Sequence, residues 1–184
     1  MIYIVSGPTC SGKNTFLKST KIDSITNLSS THPIVFPATM PNGIDLEAGC
    51  FFHYNILRPS DQCYRNRDTR IQSLYDFTSD YPWLELSKLS VPKKAIVLIV
   101  SRTTLEKRIS SRRHIELINL TGKLPAKYPV RHWLGVLNTV DLYELYLNWF
   151  AELKSHGIKY TLINSETRNY EIMRQDQLKY FINT

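Results

Sequence analysis

Residues 2–15 read Ile2-Tyr3-Ile4-Val5-Ser6-Gly7-Pro8-Thr9-Cys10-Ser11-Gly12-Lys13-Asn14-Thr15. Ile2 to Val5 is an unbroken apolar run, the pattern of a strand buried on both faces. Ser6-Gly7-Pro8 stops it. From Lys13 the apolar residues Phe16 and Leu17 start a helix that ends near Thr20, where Lys21 to Thr31 turns polar and rich in Ser and Asn. Between strand and helix stands Gly7-x-x-x-x-Gly12-Lys13. Glycines at both ends let the backbone curl until its N–H groups converge on an anion, and a Lys at that spacing can reach the outer phosphates of a nucleotide. The start of the following helix adds partial positive charge. The bland alternative is a structural turn with a solvated lysine, and the two flanking elements weigh against it. Lys13 is expected to be solvated or ligand-bound.

Working outward, Pro33 to Pro37 reads as a second strand and Gly49 to Leu57 as a third, ended by Arg58-Pro59, with Met40 to Gly49 a loop between them. A helix is expected over Thr69 to Phe77. Lys94 to Val100 is the clearest buried strand in the chain. Thr104 to Glu116 is compatible with a basic helix, Asn119 to Tyr128 reads as a loop around Gly122 and Pro125, and Val140 to His156 returns to helical periodicity with Gly157 as its C-cap. Ile158 to Asn164 reads as a last strand and Tyr170 to Ile182 as a closing helix. Strands alternating with helices, several lacking a polar face, predict an α/β fold: a three-layer α/β/α sandwich around a parallel sheet of about five strands. With no repeat or linker, residues 1–184 read as a single domain.

The chain has 184 residues, 42% of them apolar, enough for a sizeable core. Its 23 Lys and Arg against 16 Asp and Glu give a formal charge of +7, which favours a polyanionic ligand but serves solubility equally well. The three cysteines, Cys10, Cys50 and Cys63, have no zinc-type spacing, which fits a reducing cytoplasm. No signal peptide or run of about 18 apolar residues is present, so a cytoplasmic protein without a membrane partner is expected, as monomer or homodimer.

Several side chains outside the loop carry candidate chemistry. Arg108 and Arg112 are four apart and share a helix face, so their guanidinium groups can converge on one anion. Together with Arg102, Lys107 and Arg113 they would repel one another, opposed only by Glu106 and Glu116, unless an anion joins them; a solvated basic face is the plain alternative. Arg58, Arg65, Arg67 and Arg70, interleaved with Tyr64 and Tyr75, could hold and stack on an acceptor, although surface arginines and core tyrosines would look the same. His53 and Asn55 stand at the end of the third strand. Trp133, Tyr143, Tyr146, Trp149 and Phe150 read as ordinary core packing.

Gly7-Pro8-Thr9-Cys10-Ser11-Gly12-Lys13-Asn14-Thr15 resembles the loop of adenylate and cytidylate kinases, which reads Gly-Pro-x-Gly-x-Gly-Lys-Gly-Thr. Leu105-x-x-Arg108-Ile109-x-x-Arg112 resembles the lid helix of nucleoside and nucleotide kinases. The resemblance implies a P-loop NTPase fold of kinase type with a basic lid at about 102–130. It implies transfer of the γ-phosphoryl group of ATP, with Mg2+, to a nucleoside, nucleotide or similar small acceptor. Lys13, Arg108 and Arg112 would then neutralise developing charge, and Gly7, Pro8, Thr9, Cys10, Ser11, Gly12, Lys13, Asn14 and Thr15 would hold the nucleotide. Asn14 and Thr15 would face the metal, and His53, Asn55, Arg58 and Arg65 the acceptor. The loop Asn164-Ser165-Glu166-Thr167 would touch the adenine. Such kinases also use a carboxylate near the end of the third strand, where this chain has Asn55, an amide that cannot take a proton; Asp45, Glu47 and Asp61 are the nearest acids, and Asp45 is the candidate base. Two further readings stay open: a kinase acting on a nucleic-acid end or a hydroxylated base in DNA, suited to the charge, and a catalytically degenerate nucleotide-binding module, suited to Asn14 and Asn55.

Overall fold

All residues from Ile2 to Gly7 are buried, as the unbroken apolar run requires, and they form strand β1 (Ile2–Gly7) in the middle of a sheet. The computed structural model describes residues 1–19, 34–39, 45–57, 77, 81–121 and 130–184. β1 pairs in parallel with β3 (Asp45–Asn55) on one side and β4 (Lys93–Ile99) on the other, and β4 pairs in parallel with β5 (Lys159–Asn164). The two outer strands differ from the all-parallel expectation. β2 (Ile34–Thr39) runs antiparallel to β3, and β6 (Ile172–Met173) antiparallel to β5, which gives the order β2-β3-β1-β4-β5-β6. The reason lies in the connections. Only residues 40–44 separate β2 from β3 and 165–171 separate β5 from β6, and a parallel pair needs a crossover of a dozen residues or more.

Side chains alternate across this sheet. Ile2, Ile4, Phe52, Tyr54, Ala95, Val97 and Ile99 share one core with residues of α2 (Tyr81–Lys88), α3 (Arg102–Thr121), α4 (Val130–Thr139), α5 (Leu142–Ser155) and α6 (Leu178–Ile182). Tyr3, Val5, Phe51, Ile96, Leu98 and Ile163 face the other way, against Phe16 and Leu17 of α1 (Lys13–Ser19) and against Tyr170. The sheet is therefore covered on both faces, as an α/β protein with a mostly parallel sheet must be. No helix among the described residues is long and apolar enough to cross a membrane.

Several element boundaries correct the sequence reading. β3 starts at Asp45, so the second half of the stretch read as a loop is strand. α2 and α4 were not foreseen, and α3 runs to Thr121, through residues read as loop. The stretch from Tyr170 to Ile182 is not one helix: β6 occupies its beginning, followed by a 3-10 turn at Gln175–Gln177 and α6. The helix expected over Thr69 to Phe77 lies outside the described residues except for Phe77.

α5 shows how the core reaches the loop at the end of β1. Asp141 caps its start, accepting from the N–H groups of Tyr143 at 2.9 Å and Glu144 at 3.1 Å. At its other end Gly157 N–H donates to Lys154 O at 2.9 Å and Ile158 N–H to Leu153 O at 2.8 Å, a Schellman ending at the glycine expected to cap it. The aromatic stripe between them is core: Tyr146, Trp149 and Phe150 are buried. The Trp149 ring lies 4.9 Å from that of Tyr54 and 4.8 Å from those of Phe77 and Trp83. Its indole N–H donates to Ser6 Oγ at 2.9 Å, directly before Gly7. Tyr146 donates to Leu98 O at 2.9 Å. Trp149→Phe keeps most of the packing and removes the indole donor to the Ser6 oxygen, which still donates to Ile96 O at 3.4 Å; we expect a loss of about 1 kcal/mol, measured as a lower urea midpoint by far-UV circular dichroism.

Candidate functional site

The turn from β1 into α1 uses backbone conformations that side chains resist. Gly7 has φ 154° and Gly12 φ 93°. A Cβ at Gly7 would stand 2.6 Å from Ser11 Oγ and 2.9 Å from the Leu98 carbonyl, so no larger residue fits there. Cys10, with φ 67°, takes a left-handed conformation although it is not glycine, at a cost of about 1–2 kcal/mol. Neighbouring backbone holds the turn in this shape. Ile56 N–H donates to Gly7 O at 3.1 Å, Thr9 donates to Leu57 O through both N–H at 3.2 Å and Oγ1 at 2.9 Å, and Ser11 N–H donates to Pro8 O at 3.1 Å.

Lys13 closes the turn from within. It is 4% exposed, and its ammonium donates to Gly7 O at 2.8 Å, Pro8 O at 2.5 Å and Ser11 Oγ at 3.2 Å. Of the two expectations for this side chain, solvated or ligand-bound, the solvated one is corrected: two carbonyls at the end of β1 and the Ser11 hydroxyl offer three acceptors within reach, and an ammonium has three donors to satisfy.

The basic helix divides its arginines between two tasks. Arg108 points at the turn, with Nη1 3.2 Å from Ser11 O and Nη2 2.5 Å from Ser165 O and 3.3 Å from Glu166 O. Arg102 instead donates to Leu137 O at 2.7 Å and Val140 O at 2.6 Å, clamping the end of α4. It does not join Arg108 at the cleft, because its guanidinium is turned to the end of α4 and away from the cleft lining. Leu105 and Ile109 are fully buried, so the segment read as a lid is rooted in the core at its start. Arg112 lies on α3 one turn beyond Arg108, and its side chain is outside the described residues, as are Arg58 and Arg65.

The connection after β5 completes the site, and its structural part was not read from the sequence. Ser165 Oγ stands 2.7 Å from Ser11 O and 3.0 Å from Ile99 O. Glu166 Oε1 accepts from Ser101 N–H at 3.0 Å and from the Ser101 hydroxyl. Partial burial raises the pKa of this carboxyl, but hydrogen bonds from the Ser101 and Thr104 side chains and the Ser101 N–H, with the Arg108 charge nearby, outweigh that and hold it below the ordinary value. Two signals were legible: the resemblance that names Asn164 to Thr167 as a site loop, and position, since a loop at the carboxyl end of a parallel strand is where sites in α/β sheets gather.

These elements enclose a cleft of about 780 Å³. The turn contributes Thr9, Cys10, Gly12, Lys13, Asn14 and Thr15, and β3 contributes His53 and Asn55. α3 adds Lys107, Arg108 and Ser111, and the connection after β5 adds Ser165 to Arg168 and Tyr170. Among these residues Lys13, Lys107, Arg108 and Arg168 carry positive charge, against Glu166 alone. His53 is buried beside Val5, and Asn55 lies opposite Gly7. Asp45 is not here. It opens β3, paired with Thr39, while Asn55 ends it, and ten steps at about 3.3 Å put the two roughly 33 Å apart along the strand. Among the described residues no three His, Cys, Asp or Glu side chains form a group that could hold a metal.

Neither a protein-family model nor a curated protein sequence matches the chain. A solved structure, described as that of the YGR205w protein, aligns over 95% of this chain and 88% of its own at 14% identity with a TM-score of 0.38, a likeness too distant to transfer fold or function.

Glu166 gives a pH test. Its native pKa is depressed, so the stabilisation is full above the unfolded value and is lost as pH falls through the lower native value. Glu166→Gln should be about 1 kcal/mol less stable than wild type at pH 7, and the gap should narrow below pH 4.5, read from denaturation curves at each pH.

Proposed function

We propose that the chain is a phosphotransferase of the P-loop kinase type, which binds a nucleoside triphosphate at the Gly7–Lys13 loop and passes the γ-phosphoryl group to a small acceptor of nucleoside or nucleotide class. The observation that carries this reading is the loop itself: a strand-to-helix turn of left-handed backbone, closed by a buried lysine, at the floor of a cleft whose described lining residues include four cationic side chains and one carboxylate. The cleft volume of about 780 Å³ falls in the range that takes a nucleotide-sized ligand.

The chemistry follows from the charges. Phosphoryl transfer spreads negative charge over the oxygens of the moving group, and fixed cations in a cleft stabilise it. Lys13 and Arg108 are already aimed by carbonyl acceptors, and a phosphate oxygen competes well against those carbonyls because it adds a full ion-pair attraction that a neutral carbonyl lacks. The donor set also suits magnesium modestly: Asn14 and Thr15 offer an amide oxygen and a hydroxyl at the cleft, so the metal would be held mainly by phosphates and water. Bound there, magnesium would supply additional positive charge to the phosphate chain. Asn55, opposite Gly7, suits an acceptor that needs no proton removed, such as the phosphate of a nucleotide.

A degenerate nucleotide-binding module is the second reading, favoured by Asn14 and Asn55. Transfer from radiolabelled ATP to nucleosides, nucleotides and oligonucleotides separates the two. Labelled product supports the enzyme; ATP binding indifferent to magnesium, with no product from any acceptor, supports the module. Activity on oligonucleotides that drops steeply from low to physiological salt would instead indicate a nucleic-acid substrate. Lys13→Ala should lower transfer by roughly 10²–10³-fold and, because the ammonium also ties Gly7, Pro8 and Ser11 together, reduce stability by about 1–2 kcal/mol. Wild-type transfer by a folded variant would rule the loop out as the phosphate site.

A further inference from the structure

The carbonyl oxygen of Ser11 is met by two side chains from distant parts of the chain, Ser165 Oγ at 2.7 Å and Arg108 Nη1 at 3.2 Å. Ser165 is 4% exposed, and its own backbone is fixed from the other side by its N–H, which donates to Ile99 O at 2.9 Å. The remaining bonds of Arg108 go to Ser165 O and Glu166 O, so both partners of Ser11 belong to one assembly centred on the connection after β5. A trans peptide is planar, with its N–H opposed to its C=O. Holding Ser11 O against Ser165 and Arg108 therefore holds the Gly12 N–H to the opposite side. Gly12 lines the cleft, and its φ of 93° lets the chain accept that orientation.

We propose that Ser165 is a positioning residue for anion binding at the Gly7–Lys13 loop: it locks the Ser11–Gly12 peptide plane so that the Gly12 amide proton, and not the Ser11 carbonyl oxygen, faces a bound phosphate chain. The inference rests on the phosphate-binding reading of that loop. Ser165 acts here through the backbone, by way of the Ser11 carbonyl. If the plane could turn over, a carbonyl oxygen would meet phosphate oxygens, and an attraction at the cleft would become a repulsion. Arg108 reinforces the lock through Nη1, while the single Ser165 hydroxyl proton takes Ser11 O at 2.7 Å over its other acceptor, Ile99 O at 3.0 Å.

The test is a titration of inorganic tripolyphosphate into wild type, Ser165→Ala and Ser165→Thr by calorimetry, with the Gly12 amide followed by ¹H–¹⁵N NMR in wild type. We expect wild type to bind, its Gly12 proton to move downfield and its exchange to slow. A folded Ser165→Ala should bind roughly tenfold more weakly, about 1.4 kcal/mol, and Ser165→Thr, which keeps the hydroxyl, should recover most of that. Binding by wild type with an unmoved Gly12 amide, or an Ala variant of wild-type affinity, overturns the positioning role and leaves the loop reading standing. A wild type that binds no tripolyphosphate overturns the loop reading and this role with it. Should the Ala variant fail to fold, the Gly12 amide in wild type still tests the premise, and an unmoved resonance overturns the positioning role.

Discussion

Strands that run parallel must all end on the same side of the sheet, and in this protein four of them do. Asn55 ends β3 opposite Gly7 of β1, while Ile99 and Asn164, paired with each other, end β4 and β5. Everything in the cleft depends on that constraint. The chain leaves the sheet at each of these four points, and the segments that follow, the Gly7–Lys13 turn, the start of α3 and the Ser165–Tyr170 connection, are brought together without having to reach across the fold. The antiparallel edge strands stay outside the group: β2 and β6 flank the parallel core and close the sheet.

The segments are then bound to one another largely through main-chain carbonyls. Lys13, Arg108 and Ser165 all donate to carbonyl oxygens of the turn, and Arg102 does the same for the end of α4. Backbone acceptors near a sheet end are dense and poorly solvated, so a cation that satisfies them also avoids the penalty of leaving them unpaired. This arrangement tolerates the strain at Cys10. A left-handed non-glycine residue persists when its surroundings over-determine it, and here bonds to Leu57, Pro8 and Ser11 fix the chain on both sides of it.

What could be read from the sequence followed how local the cause was. β1, the turn and α1 were legible because glycine spacing and an apolar run act within a few residues, and the Gly157 ending and the aromatic core of α5 were legible for the same reason. Strand direction was not, because the pairing of β2 depends on the shortness of residues 40–44 and not on the character of its own side chains. α4 left a trace, with Val130, Leu134 and Leu137 at helical spacing, and α2 left another in Pro82 within its first turn. In the site, the partition of the arginines was invisible. Arg102 and Arg108 look alike in sequence, yet one finds Leu137 and Val140 and the other Ser11 and Ser165, partners dozens of residues away. Asp45 misled through closeness in sequence, since an eleven-residue strand carries its two ends far apart. Glu166 was part of a loop named by resemblance, but its carboxylate gained a role only once Ser101 was seen beside it.

The indole of Trp149 ends at Ser6 Oγ, one residue from the turn, inside a dry aromatic cluster. Tryptophan emission responds to the hydrogen bonding and polarity around the ring, so the protein carries an internal optical gauge of its own loop. A rearrangement that shifts β1 by a fraction of an ångström would be written into the ultraviolet fluorescence of that residue, with Trp83 close enough at 4.8 Å to share the excitation.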